Sequence, residues 1–283
     1  MDIPTAAEDA PNADNSLLIA SLNVRGLLPK LDDIALIIAK FNLSVFGICE
    51  TFLDNDINVQ EFTIPGFKTV FKHRTRHGGG VLMYIKDDVN FDELHVDGDT
   101  ESVWIKMTNG KTPVVVGMMY RPPSACRDYY VTMLNQLDIV HANDCHVILM
   151  GDLNFDVNSG TNNCPVKNIE SLYDMSQLVN KPTRVTLTSS TLIDVMLSNR
   201  AHLHKITDVY ECSLSDHYMV YTGIVFEREA NVNHNNVQFR NFRHFDPVSF
   251  INDLSNCVDI YDCNWSDDLF QSNGITLSQL LYE

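Results

Sequence analysis

The sequence predicts an α/β (α+β) two-layer sandwich, two packed mixed β-sheets flanked by helices. Three observations carry this. About eight or nine short apolar runs have strand length, against only about three stretches with helical periodicity. The helices do not alternate strictly with the strands, so a doubly wound parallel sheet fits poorly. Several strands end abruptly in one acid, amide or histidine, as strands do when their ends share one functional edge.

In chain order, Leu17 to Asn23 reads as a buried strand. Leu31, Ile34, Ala35 and Ile38 recur at helical spacing, so Leu31 to Phe41 reads as a helix. Val45 to Cys49 is a second buried strand, ending at Glu50. Phe67 to Phe71 and Gly80 to Ile85 form strands joined by the loop Lys72 to Gly79. Val103 to Met107 and Val114 to Met119 form a pair around the turn Asn109-Gly110. Asp128 to Ala142 is helical, His146 to Met150 is a strand closing on Gly151-Asp152, and Val166 to Met175 is helical. Ile193 to Leu197 and Tyr218 to Val225 are the last clear strands.

The expected domains are a disordered leader (1–15), a catalytic-type domain (16–226), and a linker with a partial connector (227–283). In the last segment Asn231 to Asn236 is polar, and Phe239, Phe242, Phe245 and Phe250 follow. A short helical piece is expected near Pro247.

The 283 residues carry a net charge of −17 with 45% hydrophobic residues, enough for a sizeable core, and this excludes a fully disordered chain. No apolar run has bilayer length, so no membrane partner is expected. Seven cysteines without a C-x-x-C pair suggest neither a disulfide framework nor a zinc module, so the expected setting is reducing and intracellular. Residues 16–225 hold 17 basic against 24 acidic side chains. Binding of a polyanion would therefore depend on local patches and a bound cation.

The polar strand ends are Asn23, Glu50, Tyr120-Arg121, Asp152 with Asn154, Asp194 and Asp216-His217. A lone strand-end Asn or Asp is commonly a turn former. Asp194 is harder to dismiss, because a carboxylate inside an apolar run is costly unless paired.

The ordered set Leu22-Asn23-Val24-Arg25-Gly26, Cys49-Glu50-Thr51, Gly78-Gly79-Gly80-Val81, Tyr120-Arg121-Pro122-Pro123, Gly151-Asp152-Leu153-Asn154, Ile193-Asp194-Val195-Met196 and Ser215-Asp216-His217 resembles the endonuclease/exonuclease/phosphatase (DNase I-like) superfamily. The nearest likeness is to the endonuclease domain of non-LTR (LINE-type) retrotransposons, over roughly residues 17–225. The stretch Phe239-Arg240-Asn241-Phe242 is similar to the connector such polyproteins carry before a reverse transcriptase. The expectation is of a truncated, processed or excised piece.

The resemblance implies a magnesium-dependent DNA endonuclease (manganese a possible substitute) that leaves a 3′-hydroxyl for target-primed reverse transcription. Glu50 would bind the metal and Asn23 would hold the metal or its water. Asp216 would help hold the metal site or the His217 loop. Asp152 would orient or deprotonate the attacking water, and Asn154 would bond the phosphate or that water. His217 would contact a phosphate oxygen or act as acid or base, with Asp194 fixing its ring. Tyr120 would donate to the phosphate. The loop carrying Lys72, Arg74 and Arg76, together with Arg121, would contact the DNA backbone, although a solvated hairpin loop is an equal reading. The implied partners are double-stranded DNA and, through an absent reverse transcriptase, an element RNA. Nuclear action follows from the substrate. The alternatives are a phosphomonoesterase or phospholipase of the same fold, and a non-catalytic domesticated nucleic-acid-binding module. The inositol-phosphatase signature Pro-Ala-Trp-Cys-Asp-Arg is not found around Asp194.

Overall fold

The computed structural model describes residues 16–108, 112–142, 145–159 and 164–225, with 246, 248 and 249. The expected leader, the Asn109-Gly110 turn and most of 227–283 lie outside the described residues. At Asp246, one carboxylate oxygen accepts from the Val248 backbone N–H at 3.0 Å and the other from the Ser249 hydroxyl at 2.7 Å, and both residues are helical, where the short piece was expected.

The chain runs β1 (Ser16–Asn23), α1 (Leu31–Phe41), β2 (Val45–Cys49), β3 (Phe67–Lys72), β4 (Val81–Lys86), β5 (Phe91–Leu94), β6 (Glu101–Met107), β7 (Val114–Tyr120) and α2 (Arg127–His141). It continues through β8 (His146–Asp152), α3 (Pro165–Tyr173), β9 (Ser176–Gln177), β10 (Arg184–Val185), β11 (Ser190–Thr191), β12 (Asp194–Ser198), β13 (His204–Tyr210) and β14 (Met219–Val225). One six-stranded sheet has the order β13-β14-β1-β2-β4-β3, and the other β5-β6-β7-β8-β12-β9. Each holds one parallel pair at its centre, β1 with β2 and β7 with β8, and every other pairing is antiparallel. The parallel pairs are bridged by α1 and α2, the crossovers such pairing requires.

The sheets pack face to face. Leu17 and Ile19 of β1, Met83 of β4, Val116 and Met118 of β7 and Ile148 and Met150 of β8 form the core between them. The alternate residues of the same strands face outward. Ala20 and Leu22 meet Ile34, Ile37 and Ile38 of α1, while Val115, Val147 and Leu149 meet Met133 and Leu137 of α2 and Ile169 of α3. Burial on both faces is why the central strands read as unbroken apolar runs rather than as alternating ones. At Gly47 the sheets approach closely: a Cβ there would lie 2.5 Å from Met118 Sδ and 2.7 Å from Met150 Cε. The sandwich of two mixed sheets expected from the sequence is present. Strands β5 and β13 were not anticipated. They are edge strands, half exposed and polar, so they carry little apolar signal. No helix among the described residues is long and apolar enough to cross a membrane. The five described cysteines are free thiols.

At the start of β8 a buried polar cluster joins the sheets. His146 Nε2 lies 3.2 Å from His204 Nε2, and both lie 2.9 Å from Ser198 Oγ. His204 Nδ1 reaches Thr222 Oγ1 on β14 at 2.7 Å. Two ring nitrogens this close share one proton, so both facing nitrogens cannot be protonated at once, and burial favours the neutral form of each ring. Burial first, and then neighbouring His204, Arg200 and His202, depress His146 to about 3. Burial and His202 depress His204 to about 4. Both values lie below the ordinary 6.5. Stability from the neutral pair is therefore complete above pH 6.5 and is lost as pH falls toward the folded-state values. The melting temperature should fall steeply between pH 6.5 and 4, and the double variant His146→Gln/His204→Gln should melt lower at neutral pH with a flatter profile. An equally steep profile in that variant, followed by scanning fluorimetry, would show that other groups govern the acid transition.

Candidate active site

Two parallel pairs ending on one edge build the site. Asn23 stands opposite Cys49 in the β1–β2 register, so Glu50 is the first residue beyond the ladder. The turn after β2 is held by Gly26 N–H to Glu50 C=O at 2.8 Å, Leu27 N–H to Thr51 C=O at 3.0 Å and Phe52 N–H to Gly79 C=O at 3.0 Å. In the second sheet Asp152 ends β8 directly opposite Asp194 on β12. Gly151, at φ +128°, makes this end possible, because a Cβ there would sit 2.0 Å from the Met119 carbonyl oxygen. Arg25, Glu50, Phe52 and Asn154 all have left-handed backbone at φ +48° to +55°. Each costs a non-glycine residue roughly 1–2 kcal/mol, and such strain concentrates at functional sites.

The side chains then cross from one sheet to the other. The Asn23 amide Nδ2 donates to Glu50 Oε1 and to Asp152 Oδ2, both at 2.9 Å. The other Asp152 oxygen accepts from the Asn154 backbone N–H at 2.9 Å. His217 Nδ1 lies 2.9 and 3.1 Å from the two oxygens of Asp194. A carboxylate only accepts, which places the ring proton on Nδ1 and leaves Nε2 toward Asp152 Oδ2, at 3.9 Å. The Asp194 backbone N–H is in turn held by Thr183 Oγ1 at 3.0 Å. Ligand atoms of Asp152, Asp194 and His217 all lie within 4.8 Å of one another, close enough to hold a cation. Tyr120, buried at the end of β7, hydrogen-bonds Glu50.

Exposure is 1% for Asn23, Asp152 and His217 and 2% for Asp194, so desolvation dominates their protonation. Burial, and then the Asp194 charge, push Asp152 up to about 7, against the pull of His217 and Asn23. Burial pushes His217 down, but the charge and hydrogen bond of Asp194, with Asp152 and Asp216, outweigh it and raise the imidazole above its ordinary value. Burial and then Glu50 push the Tyr120 hydroxyl far up, so it stays a neutral donor.

Asn23, Glu50, Tyr120, Asp152, Asn154, Asp194 and His217 thus share one edge. Asn154 faces away from the carboxylates through its amide, which donates to the Arg121 carbonyl at 2.8 Å. Asp216 lies beside His217, but its carboxylate takes Arg25 Nε at 3.0 Å and Arg184 Nε at 2.8 Å. The expected DNA-contacting cations are engaged within the chain. Lys72 Nζ donates to the Thr100 carbonyl at 2.6 Å, and Arg74 pairs with the buried Glu101 at 2.6 Å. Arg76 pairs with Asp54 at 2.5 Å, and Arg121 donates to the Ala125 carbonyl at 2.8 Å while lying over the Phe155 ring.

Sequence reasoning passed over four residues here. Arg25 sits inside the Leu22-to-Gly26 motif, which was a usable signal. Arg184 and Glu101 carried none. Cys49 looked like core, yet its thiol meets both the Asp152 N–H and the Met119 carbonyl at 3.5 Å, joining the sheets beneath the site.

The endonuclease/exonuclease/phosphatase family matches residues 20–217. No curated protein sequence matches the chain. Among solved structures, the endonuclease domain of TRAS1, a telomere-specific non-LTR retrotransposon, is similar at 14% identity and TM-score 0.62, over 75% of this chain and 100% of that one. An AP endonuclease from Archaeoglobus fulgidus is similar at 18% identity and TM-score 0.55, over 74% and 99%. The 3′ phosphatase NExo from Neisseria, bound to product DNA hairpin, is similar at 15% identity and TM-score 0.53, over 73% and 98%. At such identities the likeness establishes the fold.

The protonation of His217 tests the pairing directly. Asp194→Asn keeps the shape but removes the charge, leaving burial as the largest influence. The imidazole should then titrate below the ordinary histidine value instead of above it, read by ring NMR signals across pH. An unmoved titration would mean that Asp194 does not set the charge of the ring.

Proposed function

The chain belongs to the endonuclease/exonuclease/phosphatase family, and from that premise we propose that it is a magnesium-dependent DNA endonuclease that nicks one strand to leave a 3′-hydroxyl. Members of this family hydrolyse phosphodiesters or phosphate esters. The observation that carries the reading is the convergence, on one edge, of an oriented imidazole, a second buried carboxylate and an amide-linked exposed-side carboxylate. Phosphodiester hydrolysis needs those three functions: a group for an oxygen of the phosphate, a base or orienter for water, and an anchor for positive charge.

The donor set fits a hard divalent cation. Glu50 is half-buried at the mouth and offers carboxylate oxygen, and Asn23 holds it against Asp152. Glu50 and Asn23 would hold the metal. When bound there, magnesium, or manganese in its place, would supply positive charge to neutralise the phosphorane-like transition state and would make water more acidic. The chain's own residues do the rest. Asp152, fixed by Asn23 and by the Asn154 backbone, orients or deprotonates the attacking water. Asp194 holds the His217 ring so that Nε2 faces the same space, and the imidazolium that Asp194 favours donates from Nε2 to a phosphate oxygen. Tyr120 adds a neutral hydroxyl beside Glu50. Buried, pre-oriented dipoles of this kind need no reorganisation during the reaction.

A nick with a free 3′-hydroxyl is what a reverse transcriptase extends. The motif resemblance supports the further reading that this nick primes copying of an element RNA, with nuclear DNA as target. A supercoiled-plasmid assay with and without magnesium tests the reading. Nicked circles with ligatable 3′-hydroxyl ends are expected. Phosphate release from a 3′-phosphorylated oligonucleotide without nicking would identify a phosphomonoesterase instead, and activity in neither assay would leave a binding module.

Within that assay, Glu50→Ala should abolish nicking while the melting curve is kept. Full magnesium-dependent activity in the folded variant would remove Glu50 from the site. Asp194→Asn and His217→Ala should each lower the rate by orders of magnitude, and the double variant should be scarcely worse than either, because the pair acts as a unit. Losses that multiply in folded protein would mean that the two residues act independently.

A further inference from the structure

We propose that Arg25 and Arg184, bracketed by Asp216, form a clamp for a backbone phosphate of the nucleic-acid strand beside the scissile bond. The inference rests on the nuclease reading above and adds a subsite to it. Two guanidinium groups face one carboxylate, Arg184 Nε hydrogen-bonded to Oδ2 at 2.8 Å and Arg25 Nε ion-paired with Oδ1 at 3.0 Å, so the group keeps one net positive charge. The arginine side chains are 44% and 34% exposed, and the carboxylate beneath them is 22% exposed. An arginine held through Nε keeps the terminal nitrogens of its fork for a second acceptor, and the planar fork matches phosphate oxygens.

The backbone aims both arms at the chemistry. Arg184 forms a β-bridge with His217, and the next residue, Val185, donates its N–H to the Asp216 carbonyl at 3.0 Å. Arg25 stands on the opposite side, where its N–H reaches Asn23 Oδ1 at 3.2 Å and the following Gly26 N–H reaches the Glu50 carbonyl. Arg184 is thus anchored beside His217 and Arg25 beside Asn23, and both reach the one Asp216 carboxylate. The chain needs such a clamp. Its net charge is −17, and Arg74 and Arg76 each face a carboxylate of their own, whereas Arg25 and Arg184 share one. A phosphate needs a concentrated local positive charge against that background.

The test is binding without cleavage. A labelled duplex is titrated in chelator across a salt series, with wild type, Arg25→Gln, Arg184→Gln, the double variant and the charge control Lys205→Gln. Lys205 is exposed at the other end of the sandwich. Each clamp variant should weaken binding several-fold and reduce the magnitude of the log–log salt slope by about one, and the double variant by about two. The control should change neither. Arg25→Lys and Arg184→Lys, which keep charge but lose the fork, should recover only part of the affinity. Clamp variants that match the control, or a wild type that binds no duplex, overturn the proposal. Inorganic phosphate titrated alone separates the sources: phosphate binding lost in the variants with duplex binding untouched assigns the pair to the free ion and overturns the backbone clamp. Nicking by wild type is read separately, so a failed clamp leaves the nuclease reading standing, and a chain that binds through the clamp but never nicks fails the nuclease reading alone.

Discussion

One amide holds the two halves of this site together. Asn23 belongs to the first sheet and Asp152 to the second, and the Asn23 Nδ2 joins Asp152 to Glu50 at 2.9 Å each. The apolar contacts between the sheets, such as Gly47 against Met118 and Met150, set a distance but not an alignment. Hydrogen bonds with defined donors and acceptors supply the alignment. Beneath the amide, the Cys49 thiol meets the backbone of both β7 and β8. The edge chemistry depends on this registration, because Glu50 and His217 arrive with the first sheet and Asp152 and Asp194 with the second.

Polar networks close the sandwich at both ends of β8. At its start, burial favours the neutral forms of His146 and His204. At its end, Asp194 keeps the His217 ring biased toward the charged form. The same residue type, buried in both places, takes opposite protonation tendencies because one ring faces another ring and the other faces a carboxylate. Between the ends the core is built of apolar side chains such as Ile19, Met83, Val116 and Ile148, so the polar groups are confined to the two networks.

The electrostatics of the chain are organised locally. Its overall field repels polyanions, yet the edge gathers cations on the outside and acids within. The ion pairs of Arg74 with Glu101 and of Arg76 with Asp54 neutralise the dense basic loop and brace the Gly78–Gly80 turn, where the Gly80 N–H donates to Glu101 at 2.6 Å. That turn receives the Phe52 N–H, so the loop supports Glu50 from behind. Arginines that looked like ligand contacts in the sequence are structural in this respect.

The sequence by itself determined the sandwich, the central strands and the residue types of the site. Buried strands must be apolar on both faces, so a polar residue interrupting such a run, as at Asn23, Asp152 and Asp194, stands out without coordinates. It also determined the family, because the motifs keep their order along the chain. The sequence could not decide which charged groups neutralise one another. Arg74 and Glu101 lie 27 residues apart, and Arg184 and Asp216 lie 32 apart. Such pairs form only when strands from distant parts of the chain are brought side by side. The half-exposed edge strands β5 and β13 were missed for the complementary reason: one face is solvated, so pairing to a neighbour, and not apolar periodicity, makes them strands. Tertiary structure therefore decided the partners. A side chain's charge is written in its residue type, but the energy of that charge depends on what folding places within a few ångströms of it.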